Sequence, residues 1–172
     1  MFSKLFKTGS PSQSVDRPWT KNLIVKKIAD ELSDLDIKAN KSTLTIPGDP
    51  GLNLEFIADN YAPADRVELN ASIFLKDPKG QRVLLTDLVS FGTQYYSSKY
   101  RPLSISKTEN WESSHLKQEL TEVYGPLFTA LADKDLRRML FDGEEVTARG
   151  QKIKLSKDSE HSWIQDAARK LV

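Results

Sequence analysis

Apolar positions along the chain change period several times, and each change marks an element. Leu23, Ile24, Ile28, Leu32 and Leu35 recur at three- and four-residue steps, with Lys21, Lys26, Lys27, Asp30 and Glu31 between them. That spacing predicts an amphipathic helix over about 19–33. Pro18 suits its first turn, where a missing backbone N–H does no harm. The period then falls to two. Leu44 and Ile46 alternate with Thr43 and Thr45. Leu52, Leu54, Phe56 and Ala58 alternate with Asn53, Glu55, Ile57 and Asp59. Val67, Leu69, Ala71, Ile73 and Leu75 give the cleanest strand pattern in the chain. Pro47-Gly48-Asp49-Pro50-Gly51, Ala62-Pro63-Ala64-Asp65 and Asp77-Pro78-Lys79-Gly80 punctuate these runs as turns. Gln81 to Leu85 forms a return strand, which Leu88, Val89 and Phe91 either continue or leave. Connections this short leave no room for crossover helices, so the strands pair antiparallel.

A second helical region begins near Asn110, a suitable N-cap. Leu116, Leu120, Val123, Leu127 and Leu131 form its apolar stripe. Gly125-Pro126 interrupts the stripe, and a kink or fresh start is expected there. Asp135 to Phe141 reads as a short helix turning Leu136, Met139 and Leu140 inward. Val146, Ala148, Ile153 and Leu155 flank Arg149-Gly150 as a small hairpin, and Ser162 to Leu171 reads as a closing helix.

The expected fold is therefore α+β. An antiparallel β-meander of about four strands is packed on one face by the N-terminal helix and a long kinked helical region; a small hairpin and a terminal helix complete it. The expected core holds Leu23, Ile24, Ile28, Leu54, Phe56, Leu69, Ala71, Ile73, Leu120, Val123 and Leu127. Residues 1–17 read as a flexible tail and linker, and residues 18–172 as a single domain.

Composition narrows the function. Lys and Arg total 25 against 24 for Asp and Glu, a net charge of +1 that argues against a nucleic-acid partner. There is no cysteine, which removes disulfides, thiolate metal sites and cysteine nucleophiles. No apolar run approaches the roughly 18–20 residues of a membrane span, and no secretory signal pattern is present. The expected compartment is the cytoplasm.

Candidate chemistry is sparse. Phosphate-loop, dinucleotide and nucleophile-elbow motifs do not occur in the sequence. The two histidines, His115 and His161, lie on different expected helices. Glu112, His115 and Glu119 share one helix quadrant, a spacing that metal sites use. The set sits at the solvated edge of the apolar stripe, where a salt-linked surface is the expected outcome. His161 reads as a residue at a helix start. We therefore expect no bound metal, no cofactor and no catalytic group.

Two segments remain as candidate contact surfaces. Tyr95, Tyr96, Tyr100 and Arg101 gather amphipathic rings and a guanidinium between Gly92 and Pro102. Protein interfaces enrich these side chains, and an edge strand packing its own rings is the structural alternative. Phe2, Leu5 and Phe6, beside Lys4 and Lys7, form a short amphipathic segment suited to a partner groove or a membrane face. The first functional expectation is a non-enzymatic protein-binding or assembly module: a chaperone or adaptor, an inhibitor of a partner, or a component of a larger complex. Its partner would be another protein or a second copy of the chain. The alternative is a small enzyme or ligand-binding domain with a pocket between the sheet and the long helix. A third reading is peripheral membrane contact through residues 1–7.

Overall fold

The computed structural model describes residues 17–85, 103–155 and 162–171. Helix α1, Lys21–Glu31, opens with the Thr20 side chain accepting from the Leu23 N–H. Pro18 lies before this cap and outside the helix. A six-stranded sheet follows: β1 Lys38–Asn40, β2 Thr43–Ile46, β3 Gly51–Ala58, β4 Arg66–Lys76, β5 Arg82–Leu84 and β6 Leu103–Ser106. All its pairings are antiparallel. β1 to β5 follow one another across the sheet, and β5 and β6 share one edge of the long β4.

Helix α2 runs in three consecutive pieces, His115–Glu119, Leu120–Tyr124 and Gly125–Ala132. Helix α3 is Lys134–Phe141. β7 Val146–Ala148 and β8 Gln151–Ile153 form the hairpin, and α4, Ser162–Leu171, is the last described helix. The architecture is α+β, as the periodicities indicate.

One face of the sheet is the core. Leu44, Ile46, Leu52, Leu54, Phe56, Leu69, Ala71, Ile73, Leu75, Leu103 and Ile105 are buried beneath α1 and α2. Two expected core residues are displaced. Leu23 is 39 % exposed. Ile24, Val25, Ile28 and Leu32 set the buried stripe of α1, and at 3.6 residues per turn Leu23 falls roughly 150° from its centre. Val123 is only half-buried, for a different reason. Leu120–Tyr124 is a π-helical turn, one residue wider than the α-helical turn it replaces. The widening rotates Val123 off the stripe and brings Gly125 and Pro126 into the core.

The expected interruption at Pro126 is thus absorbed without ending the helix. The Gly125 N–H donates to the Leu120 carbonyl. A Cβ on Gly125 would stand 2.6 Å from that oxygen. We expect Gly125→Ala to cost about 1–3 kcal/mol through this backbone clash. Chemical denaturation checks it, and an unchanged midpoint would remove the wide turn from the account.

Two further details correct the sequence reading. Asn110 caps a 3₁₀ turn, Trp111–Ser113, while Ser114 caps α2 by accepting from the Lys117 N–H. In α3 the buried residues are Arg137, Leu140 and Phe141, and Leu136 and Met139 are half-buried. The Arg137 guanidinium reaches across the molecule to the Asp49–Pro50 turn. It donates to the carbonyls of Pro50 at 3.1 Å, Leu131 at 3.2 Å and Asp49 at 3.5 Å. Burial pulls its pKa below the ordinary arginine value, opposed by the charges of Asp133 and Asp49.

Candidate functional site

The residues singled out from sequence for contact, Phe2, Leu5, Phe6, Tyr95, Tyr96, Tyr100 and Arg101, lie outside the described residues, as does His161. The Glu112–His115–Glu119 set does not converge. His115 Nε2 lies 3.3 Å from Glu119 Oε1, but Glu112 sits in the preceding 3₁₀ turn and pairs with Lys117. Lys117 also bridges to Glu31 at 3.2 Å, and the Trp111 indole donates to Glu31 at 3.0 Å. Burial works to raise the Glu31 pKa. The Trp111 and Lys117 hydrogen bonds and the Lys117 charge outweigh it, so the net shift is below the ordinary carboxylate value. This cluster ties α1 to α2. Among the described residues no three His, Cys, Asp or Glu side chains gather as metal ligands, and no helix is long and apolar enough to cross a membrane.

The sheet-facing side of α2 is filled by Leu116, Leu120, Leu127, Phe128 and Leu131, all buried. A shallow groove of about 600 Å³ lies elsewhere, between β5 and α4, lined by Arg82, Val83, Asp166 and Lys170 among others. It opens beside the second face of the sheet, the surface on which side chains of different chemistry meet.

Alternation along each strand places the polar set on that second face, and the registers arrange it in rungs. Lys76 and Arg82 lie side by side at one end, next to the rung of Lys38, Thr45, Asn53, Phe74 and Leu84. Asn40, Thr43, Glu55 and Ser72 make the middle rung, followed by Ile57 and Asn70. The far end holds Glu68 opposite Ser104 and Arg66 opposite Ser106, with Asp59 donating its N–H to the Glu68 carbonyl. Leu84 is 50 % exposed and Ile57 54 %. Arg82 lies over the Phe74 ring, 5.5 Å from its centroid. Tyr61, 96 % exposed, stands just beyond the acidic end on a turn closed by Asp59 Oδ1.

The charges on this face are sorted. Lys38, Lys76 and Arg82 occupy one half, Asp59 and Glu68 the other, and Glu55 the middle rung between them. None of these six forms an ion pair among the described residues. Arg66, a cation at the acidic end, is engaged by serine hydroxyls, donating to Ser104 at 2.8 Å and Ser106 at 3.1 Å. The outward positions of Glu55 and Glu68 were legible in the strand alternation. The sorting was not, because it depends on registers between strands distant in sequence.

No protein-family model, no curated protein and no solved structure matches the chain.

Proposed function

We propose that the chain is a non-enzymatic protein-binding or assembly module of the cytoplasm, and that the open sheet face is its contact surface. The observation that carries this reading is the exposure of Leu84, Ile57 and Tyr61 on or beside a sheet face that, among the described residues, no helix covers and whose sorted charges form no ion pair. Exposed apolar side chains rimmed by polar ones favour docking, since covering them removes apolar area from water. Unpaired, sorted charge steers an oppositely sorted partner into register.

A photo-crosslinking residue placed singly at Leu84, at Ile57 and at Lys134 tests the reading in cells that make the protein. Lys134 lies exposed at the start of α3, away from the sheet face. Crosslinked protein adducts are expected from Leu84 and Ile57 and not from Lys134. Equal yields at all three positions, or none from the face, would end the proposal.

A further inference from the structure

We infer that the occupant of the open sheet face is a second copy of this chain, docked face to face about a two-fold axis. The inference rests on the reading of this face as a contact surface and adds the identity of the partner. A surface that pairs with itself about a two-fold must be complementary to its own rotated image. This one is so along β4 and its neighbours at that edge, where a cationic end, Lys76 and Arg82, and an anionic end, Glu68, flank the middle rung of Asn40, Thr43, Glu55 and Ser72.

Consider the axis running across the strands at that middle rung. Rotation carries each end of β4 onto the other end in the second copy. Glu68 of one copy then lies over Lys76 of the other, Ser104 lies over Arg82, and Ile57 comes beside Phe74. Arg66 does not meet a facing cation, because it falls beyond Lys76 at the end of β4. Each favourable contact occurs twice in the pair. Sheets stack about 10 Å apart, the depth of two layers of side chains, so these residues are within reach of one another.

The face spans about 24 Å across the strands and about 25 Å along them, given strand spacing near 4.8 Å and a rise near 3.4 Å per residue. That is about 600 Å² per copy and about 1,200 Å² for the pair, the lower bound of a specific interface. A reversible dimer of modest affinity follows, weakened by salt because its complementarity is ionic. Glu55 is the exception to the pattern, since it falls on the axis and meets its own copy. Its charge opposes association.

Sedimentation of the full chain tests this from about 1 µM to about 500 µM, a span that detects a dimer of modest affinity. Wild type is expected to pass from monomer to dimer and to shift toward monomer in high salt. The acidic variant Lys76→Glu with Arg82→Glu, and the basic variant Glu55→Lys with Glu68→Lys, are each expected to dimerise more than about tenfold more weakly. Mixed at equal concentration, they should recover a 1:1 heterodimer, since each now supplies the charge the other lacks. A wild type that stays monomeric throughout, variants that associate like wild type, or a mixture that stays monomeric would overturn the inference. Should either double variant fail to fold, Glu55→Gln is expected to tighten wild-type association about tenfold, and unchanged or weaker association there overturns it equally. A monomeric wild type would leave the binding-module reading to its own crosslinking test, where adducts to a different protein would still support it.

Discussion

Arg137→Ala is expected to destabilise the fold by about 3–5 kcal/mol, with a fall in Tm of roughly 10 °C. The side chain is 2 % exposed, and its guanidinium is the hydrogen-bond donor for carbonyls of Asp49, Pro50 and Leu131. Truncation leaves those oxygens facing a cavity without a donor. Such orphaned groups bear the full cost of having left water. Arg137→Met separates the two contributions, since it keeps most of the apolar stem and removes only the donors. Its loss should be smaller than that of Ala but still above about 2 kcal/mol. Arg137→Lys should not restore stability, because one ammonium cannot span carbonyls that a planar fork reaches. Thermal and denaturant unfolding of the three variants decide the matter. A Tm within about 2 °C of wild type for Arg137→Ala would show that the turn holds itself.

Ile73→Ala should cost about 2–5 kcal/mol. Ile73 is 2 % exposed at the centre of the sheet's core face and stands opposite Leu54 in the register of β3 and β4. Removing its side chain beyond Cβ leaves a void in a face packed on all sides. Ile57→Ala is the matched control, the same substitution on the open face of β3, and should change stability by less than about 0.5 kcal/mol. Equal effects of the two would contradict the assignment of faces on which the docking surface depends.

The faces of β2, β3 and β4 were legible because a sheet with one wet side forces strict alternation, and Leu52, Leu54 and Phe56 obey it. The stripes of α1 and α2 were legible for the same reason at the helical period. β1 was not, since its three residues are all exposed and show no alternation. β6 does alternate, Leu103 and Ile105 inward with Ser104 and Ser106 outward, but four residues after a proline fall short of a strand signal. Val123 misled because a regular period cannot announce a wide turn within it. The role of Arg137 was not legible, because its partners Pro50 and Asp49 lie 87 and 88 positions away. The candidate surface follows the same division. Single-strand pattern put Lys76, Glu55 and Glu68 outside, and only pairing between strands brought Arg82 beside Lys76 and sorted the charges by sign.

The wide turn in α2 also bears on how this chain aligns with others. A π-helical turn is one residue longer than the α-helical turn it replaces. A sequence that keeps the same two helix halves without it matches this one only across a single-residue gap between Glu119 and Gly125. Aligned without that gap, its buried stripe would agree with Leu116 and Leu120 and then drift off Leu127, Phe128 and Leu131, or the reverse. Half of a true kinship would look like noise.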